Sequence, residues 1–350
     1  MTEEKKCPRF QYLITVTPLG LMYGSAGGFL SPENLVGLSR SKFPPEAATL
    51  SGLIFSASRE KNQNKSALKK TELQKQLRDN LYVAGPFWAK LDAPEYFYVP
   101  IPWTKIISDD GCDEWFIDNQ KWHRQNPDLE PEYQWQTINS WDDPPNLILK
   151  NDNAAKPPWK FIPMLHPDLE TNQRHVKDED GLFLEYAVQM PDDTCIVYLS
   201  TEFLESGWYR FGGENHVVEI NSIEVAENDI FFQPFRDPIQ KAFALITPAV
   251  WGSTRFSYRY PQSNFPISKM LTDKPIPYRY RTGDGKGEGQ GRLGRGRYAV
   301  PPGSVYVLDK PLNQTWWNWD ESWFPQEGYS LRRVGCGLSL PLTIQGVTDV

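Results

Sequence analysis

The hydrophobic pattern of the chain predicts many short strands and one pair of helices. "FQYLITVTPLG" (residues 10–20) is rich in β-branched and aromatic residues and ends in Pro and Gly, which predicts a strand. In "FPPEAATLSGLIFSASREK" (residues 43–61), apolar residues recur near the helical period behind two prolines that suit a first turn, which predicts a helix. "NKSALKKTELQKQLRDN" (residues 64–80) predicts a polar helix on the surface.

Further apolar runs predict the remaining strands and a division of the chain. These runs are "GPFWAKLD", "EYFYVPIPW", "GLFLEYAVQM", "TCIVYLSTEF", "WYRFGGENHVVEI" with a hairpin turn at Gly212-Gly213, "KAFALITPAVW" and "GSVYVLD". The loop "FRDPIQ" places a boundary near Asp237, so we expect domains at residues 1–237 and 238–350. Residues of about 105–178 show no clean period and are acidic, Pro-rich and Trp-rich, which predicts a large irregular insertion ordered by aromatic side chains.

Composition supports a folded protein of the cytoplasm. Apolar residues make up 39% of the chain, which is enough to bury a core, and 30 Pro with 25 Gly favour short strands and ordered loops. No run of about 18 apolar residues occurs, so no membrane contact is expected. The charged N-terminus lacks an apolar signal core. Four dispersed cysteines without a C-x-x-C pair indicate free thiols rather than zinc ligands or disulfides.

Charge is strongly segregated along a chain whose formal net charge is -7. The segment from Arg255 to Arg297 holds ten Lys and Arg against three acidic residues. The segment from Asp109 to Asp143 holds ten acidic residues against two basic ones. The first segment would attract a polyanion and the second would repel it.

The basic segment contains "RTGDGKGEGQGRLGRGRYAVPPG" (residues 281–303), in which glycine alternates with charge. Gly289–Gly294 matches G-x-G-x-x-G, but no strand precedes it and two prolines follow, so a dinucleotide site is not predicted. Glycine lets a backbone approach a phosphate, arginine binds phosphate bidentately, and tyrosine stacks on unpaired bases. Nucleic-acid contact is therefore favoured over a flexible linker, which stays open. The C-terminal "RRVGCG" poses the same choice between RNA contact and a tight turn.

Catalysis has little support in the sequence. His216 is the only histidine beside a glycine turn, and a strand histidine is the favoured interpretation because no base and orienting pair accompanies it. Neither a catalytic residue nor a metal site is predicted, and no cofactor is expected.

Several blocks together resemble the RAMP superfamily of CRISPR effectors. "SKFPPEAATLSGLIFSAS" resembles the helix entry of that family, and "FGGENHVVEI" resembles its Gly-Gly-Glu hairpin. "ITPAVWGS", "VPPGSVYVL" and "VGCGLSL" follow in the family's order and extend the resemblance over almost the whole chain. The sequence is similar to the group-five-like branch that includes the third subunit of the type III-B (Cmr) complex. It departs from the pattern in the first loop, where "MYGSAGGFL" replaces an Arg-Asp pair.

The resemblance implies an α+β fold of two ferredoxin-like (RRM-type) domains, the first carrying the large irregular insertion. It implies a non-catalytic subunit that binds the 5′ handle of the guide crRNA and docks on the large polymerase-like subunit and on the backbone RAMP subunits. The glycine/arginine-rich loop at residues 278–300 would line the RNA. The RNA-binding residues carried over are Gly27, Gly28, Arg40, Lys42, Arg279, Arg281, Arg292, Arg295, Arg297, Arg332 and Arg333.

Two alternatives remain open. One is a RAMP-type endoribonuclease that processes guide precursor RNA, with His216 as the acid or base. The other is a protein-docking scaffold without RNA contact of its own. The acidic insertion is expected to face protein or solvent, because carboxylates repel RNA phosphates.

Overall fold

The structure is a computed structural model that describes most of the chain. The described residues are 9–24, 42–167, 170, 175–176, 182–226, 229–252, 256–262, 265–279, 281–282 and 292–347.

The elements up to residue 200 include both long helices. They are β1 (Tyr12–Pro18), β2 (Met22–Tyr23), α1 (Ala47–Lys61), α2 (Ala67–Asn80), β3 (Val83–Lys90), β4 (Tyr98–Pro100), β5 (Lys105–Ser108), β6 (Gly111–Glu114), β7 (Phe116–Asp118), β8 (Lys121–His123), β9 (Trp135–Thr137), α3 (Pro145–Lys150), β10 (Ala154–Ala155), β11 (Lys160–Pro167), β12 (Leu182–Gln189) and β13 (Thr194–Ser200).

The remaining elements are almost all strands. They are β14 (Gly207–Phe211), β15 (His216–Glu224), α4 (Gln233–Arg236), β16 (Ala242–Leu245), β17 (Trp251–Gly252), β18 (Ser257–Tyr258), β19 (Ile267–Leu271), β20 (Ile276–Tyr278), β21 (Arg281–Thr282), β22 (Arg292–Leu293), β23 (Arg297–Ala299), β24 (Val305–Leu308) and β25 (Ser339–Pro341). The fold is therefore a mixed α and β structure made mostly of sheets.

The first sheet has eight strands in the order β10-β9-β4-β3-β13-β1-β15-β14. Its four central strands, β3-β13-β1-β15, are all antiparallel to their neighbours. When these four strands are numbered by their order along the chain, their order across the sheet is second (β3), third (β13), first (β1) and fourth (β15). The crossover from β1 to β3 carries α1, whose Ala47, Leu50 and Ile54 form the buried stripe predicted from the helical period.

The second sheet repeats this arrangement with shorter strands. Its order is β19-β24-β16-β25, again with antiparallel neighbours. When these strands are numbered along the chain, the order across the sheet is again second, third, first and fourth. In the described residues, the two long helices α1 and α2 lie between β1 and β3, whereas α3, between β3 and β13, has six residues and α4, between β15 and β16, has four. None of the described helices is long and apolar enough to cross a membrane.

One hydrophobic core joins the two sheets. The predicted boundary near Asp237 falls between α4 and β16, but buried residues from both sides of it form a single cluster. Near the start of the chain, the Phe10 ring lies 4.7 Å from the ring of Trp317, between centroids. The division into domains at residues 1–237 and 238–350 stays a prediction, and the two parts share apolar packing.

The C-terminal "VGCG" turn packs tightly against β3 of the first sheet and against Trp251 of β17. Gly335 has φ of 72° and ends a short 3-10 helix in the left-handed conformation. A Cβ on Gly335 would lie 2.6 Å from the Cα of Ala84 in β3. A Cβ on Gly337 would lie 2.5 Å from the ring of Trp251. Both glycines therefore serve close packing, which agrees with the tight-turn interpretation of this motif.

The Trp-rich insertion is more regular than its sequence predicts. Short hairpins (β5-β6 and β7-β8) and α3 lie within it, while β9 and β10 extend the eight-stranded sheet through β4. In the insertion, Trp141 is 1% exposed and donates its Nε1–H to the Pro341 carbonyl at 2.7 Å, which agrees with the expected ordering by aromatic side chains. The sequence pattern does not reveal these strands, because strands of three or four residues are shorter than the window that periodicity needs.

Replacing Gly335 with Ala should destabilise the fold more than replacing Gly328 with Ala. Both glycines have positive φ, but a Cβ at Gly328 meets no atom within 4 Å. We expect about 1–2 kcal/mol of backbone strain for Gly328→Ala. Gly335→Ala adds an overpacking cost of about 1–3 kcal/mol against β3. Urea unfolding of the two variants measures the difference, and equal losses would contradict the packing role of Gly335.

The buried Lys105 should make unfolding depend on pH. Its Nζ donates to the carbonyls of Trp141 at 2.6 Å and Asp143 at 2.9 Å, and burial lowers the pKa of Lys105 from 10.5 to about 8. Between these two values the unfolded chain binds more protons, so the contribution of Lys105 to the free energy of unfolding rises with pH. The stability of the wild type minus that of Lys105→Met should therefore increase across this window in urea titrations. Parallel pH profiles would contradict it.

Candidate nucleic-acid interface

The predicted RNA-binding residues divide into three groups. Gly27, Gly28 and Arg40 lie outside the described residues. Arg281 and Arg292 are described through their strand pairing. The structure describes the side chains of the other six, which are Lys42, Arg279, Arg295, Arg297, Arg332 and Arg333.

The ends of the first loop meet at a narrow neck. The Lys42 amide donates to the Gly24 carbonyl at 3.0 Å, and a Cβ on Gly24 would lie 2.0 Å from the Lys42 carbonyl oxygen. Lys42 forms an ion pair with Glu46, and its Nζ lies 5.3 Å from the centroid of the Tyr278 ring. Lys42 therefore joins the neck of the first loop to the base of the glycine/arginine segment.

The glycine/arginine segment forms an antiparallel ribbon where the structure describes it. In β20 and β23, Tyr278 lies opposite Arg297. Further out, β21 pairs with β22, with Arg281 opposite Leu293. Arg279 Nε donates to the Gly294 carbonyl at 2.8 Å across the ribbon. These four strands, which we call the ribbon, are held by pairing rather than behaving as a free linker over the residues they contain.

Arg297 and Arg332 have structural roles. Arg297 is 6% exposed and forms an ion pair with Glu327. Arg332 is 7% exposed and donates to the carbonyls of Trp316, Trp317 and Trp319. It also pairs with Glu321 and lies over the rings of Trp316 and Phe324. The guanidinium groups of both residues bind partners inside the protein and are buried, which opposes the RNA contact predicted for them.

Arg333 caps the C-terminal end of α2 by donating hydrogen bonds to backbone carbonyls. Its Nη1 donates to the carbonyls of Arg78 at 2.5 Å and Asp79 at 2.9 Å, in the last turn of α2. Its guanidinium carbon lies 4.8 Å from the centroid of the Tyr82 ring. A cation at this position complements the negative end of the helix dipole. Arg333 is nevertheless exposed enough to line the groove described next.

Sequence reasoning missed a basic groove along the two helices. Its first part, of about 540 Å³, is lined by Arg59, Asn62, Gln63, Lys70, Thr71, Gln74, Lys75 and Arg78. Its second part, of about 480 Å³, shares Arg59, Gln74 and Arg78 and continues to Tyr329 and Arg333. Lys70, Gln74 and Arg78 recur every four residues along α2. That helical spacing is readable in the sequence, but by itself it predicts only a polar surface helix.

His216 is held by the backbone of a neighbouring strand. Its Nε2 accepts the Tyr23 amide at 3.0 Å, and its ring lies 5.9 Å from the Tyr23 ring, between centroids, at an angle of 21°. One of the two ring nitrogens of His216 is thus engaged with β2. The geometry agrees with the favoured interpretation of a strand histidine.

The described parts of the chain contain no cluster of side chains that would support metal binding or thiol chemistry. No three His, Cys, Asp or Glu side chains there come together as metal ligands. Cys112, Cys195 and Cys336 are free. Burial raises the pKa of Cys195 and of Cys336 to about 12, so both thiols stay protonated at neutral pH.

No family model and no curated protein matches the sequence. Similar solved structures include a chain of the Type III-B Cmr-beta bound to cognate target RNA, which is 12% identical, with 84% of this chain and 86% of that chain covered and a TM-score of 0.44. A chain of the Csm1-Csm4 cassette in complex with AMPPNP is 10% identical, with 97% and 100% covered and a TM-score of 0.41. A chain of the Csm3-Csm4 subcomplex of the type III-A CRISPR-Cas interference complex is 9% identical, with 87% and 94% covered and a TM-score of 0.40. At these values the likenesses decide neither fold nor function.

Arg297→Ala should destabilise the protein, whereas Arg295→Ala should change its stability little. Arg297 is buried with Glu327, and removing one partner of a buried ion pair costs about 3–5 kcal/mol because the other charge stays buried. Arg295 is exposed on the same ribbon and serves as the matched control. Thermal and urea unfolding of both variants provide the measurement. An Arg297→Ala protein as stable as the control would show that the ion pair does not hold the ribbon.

Proposed function

We propose that this chain is a non-catalytic, RNA-binding subunit of a type III CRISPR effector, of the RAMP type. In this proposal it binds the 5′ handle of the guide crRNA and docks on the large polymerase-like subunit and the backbone RAMP subunits. The sequence resemblance supplies the family, and the arrangement of the basic residues supports the RNA contact.

The blocks that carry the resemblance fall on coherent elements. The "FPPEAATLSGLIFSAS" block forms α1 and its entry, and "FGGENHVVEI" forms the turn between β14 and β15 with the first residues of β15. Both sheets have the strand order of a ferredoxin-like sheet, in which the first strand lies between the third and the fourth. This repetition supports two related halves, although helical crossovers are few in the described residues.

The observation that carries the proposal is the meeting of the two predicted RNA loops at Lys42 and Tyr278. These residues are distant in sequence and belong to different loops, each of which is rich in glycine and carries basic residues. Single-stranded RNA is recognised by phosphate contacts and by stacking of its splayed bases. A surface where both loops begin, with Arg279 and Arg295 on the ribbon, offers cations for the first of these contacts.

The chemistry of the acidic insertion supports a role in protein docking rather than RNA contact. Asp109 accepts from Tyr133 and lies 3.4 Å from Lys156, and Glu132 also approaches this lysine. The exposed surface of the insertion keeps a large excess of carboxylates over cations. Such a surface suits a basic patch on a partner subunit.

Replacing four arginines in or beside the ribbon should weaken RNA binding. We expect Arg279→Ala, Arg281→Ala, Arg292→Ala and Arg295→Ala together to raise the Kd for a handle-sequence RNA. The slope of log K against log salt should fall by about 0.7 for each phosphate that is no longer neutralised. A variant with Lys121→Ala and Lys150→Ala, which removes exposed cations of the insertion, is the control and should bind as the wild type does. An unchanged salt slope in the ribbon variant would overturn this assignment.

The same RNA distinguishes the alternative functions. Purified protein incubated with repeat RNA should leave it intact. Cleavage that His216→Ala abolishes would overturn the non-catalytic assignment. Crosslinking of the assembled complex should join this chain to the handle, and absence of such crosslinks would favour the docking scaffold.

A further inference from the structure

The basic groove between α1 and α2 concentrates positive charge in an acidic protein. Residues 59–80 contain seven Lys and Arg and three acidic residues. The first part of the groove is lined by Arg59, Lys70, Lys75 and Arg78 with no carboxylate among its lining residues. Within the described chain none of these four cations forms an ion pair, whereas the neighbouring Lys61 pairs with Glu205 outside the groove. The cations of the groove are thus available for an external anion.

The groove has a fixed floor that is rich in hydrogen-bond donors. Gln74 Nε2 donates to Ser58 Oγ at 3.2 Å and so ties α2 to α1. Asn62, Gln63 and Thr71 add amide and hydroxyl groups to the lining. Thr71 Oγ1 donates to the Ala67 carbonyl at 3.0 Å and Asn62 Nδ2 to the Ser58 carbonyl at 2.7 Å, and each side-chain amide has a second N–H. Amide N–H groups beside Arg and Lys match the oxygen-rich, anionic surface of a phosphodiester chain.

The second part of the groove has the features of a base-stacking site. Phe55 and Tyr329 line it together with Arg59 and Arg333. Gly52 and Gly328 border it, and a Cβ on either glycine would meet no atom within 4 Å, so the space above both is open. An aromatic ring beside guanidinium groups in an open cleft can take the face of an unpaired base.

The ion pair between Glu327 and Arg297 connects the groove to the ribbon. Glu327 lines the second part of the groove and forms the ion pair with Arg297 at the base of the ribbon. Among the described residues that line the groove, Glu327 is the only one with a carboxylate, and Arg297 neutralises it. A nucleic-acid strand that leaves the ribbon can therefore enter this lining without meeting an uncompensated carboxylate.

We propose that the basic groove is a second site for single-stranded RNA. The phosphates bind to Arg59, Lys70, Lys75 and Arg78, and one unpaired base stacks at the end formed by Phe55 and Tyr329. The choice of RNA as ligand rests on the proposed function, and the site extends that function from the ribbon to the helix pair. An acidic segment of a partner protein is the competing occupant, but it would make no use of the aromatic end.

The decisive variant removes groove cations and leaves their neighbours in place. Lys70→Ala, Lys75→Ala and Arg78→Ala are combined in the full chain, and binding of a fluorescent 12-nucleotide uridine RNA is followed by anisotropy between about 50 and 200 mM salt. We expect the Kd to rise at least tenfold and the salt slope to fall by about 2, at about 0.7 for each cation removed from a phosphate. The matched control carries Lys61→Ala at the end of α1, Lys65→Ala between the helices and Lys69→Ala in α2, all outside the groove lining, and should stay within about twofold of the wild type in Kd. Equal losses in the two variants would overturn the site.

The stacking end is tested separately with an abasic strand of the same length. The wild type should bind the uridine RNA at least fivefold more tightly than the abasic strand, and Tyr329→Leu should remove that preference without changing the Kd for the abasic strand. Absence of any preference in the wild type would overturn the stacking site. Binding of a poly-glutamate peptide by the groove, with no binding of RNA, would overturn the choice of ligand in favour of an acidic protein.

The ribbon variant described above separates the two proposals. Loss of binding only in the groove variant would support the groove and overturn the assignment of RNA to the ribbon. Loss only in the ribbon variant would overturn the groove and leave the proposed function standing.

Discussion

The fold depends on a close approach between the "VGCG" turn at residues 334–337 and strand β3 of the first sheet. Gly335 touches Ala84 at a distance that admits no side chain, and Gly337 lies equally close to Trp251. Near this contact, the Arg332 guanidinium donates hydrogen bonds to the carbonyls of Trp316, Trp317 and Trp319. The turn buries the Arg332 guanidinium, and these hydrogen bonds offset part of that cost, while its Nε has no hydrogen-bond partner among the described residues. It also brings Arg333 to the end of α2, where the basic groove begins.

The charges of the protein follow this architecture. The cations divide into those that hold the structure, such as Arg297, and those that remain on the surface, such as Lys75. The distinction is physical, because a buried guanidinium that has filled its donors cannot also bind a phosphate without losing them. A polyanion would be repelled by the acidic insertion and attracted by the basic surfaces.

The sequence predicts the secondary structure best in long elements with a simple apolar pattern and at turns marked by glycine. The strand at residues 12–18, the helix at residues 47–61 and the turn after β14 are all readable from apolar spacing and glycine. The strands β5 to β10 of the insertion are not, because each has only two to four residues and is stabilised by tertiary pairing.

The sequence predicts the type of candidate site, but it does not predict which individual residues form it. Glycine and arginine mark the ribbon in the sequence, but they do not tell which of its arginines is buried. The same holds for Arg332 and Arg333, which are adjacent in the chain although one is interior and the other lines a groove. The groove itself needs two helices to be placed together, and that is a property of packing rather than of either helix alone.

The strand order has a consequence for the making of this protein. The first strand pairs on both sides with strands that come far later in the chain, since Tyr12 lies opposite both Ser200 and Glu224. At ordinary translation rates the ribosome needs about 10–40 s to deliver those partners. During that interval an apolar strand emerges with both edges open, and such an edge is a template for aggregation. The nascent chain must therefore be shielded, by α1 folding over it or by a chaperone, until the middle of the polypeptide has been synthesised.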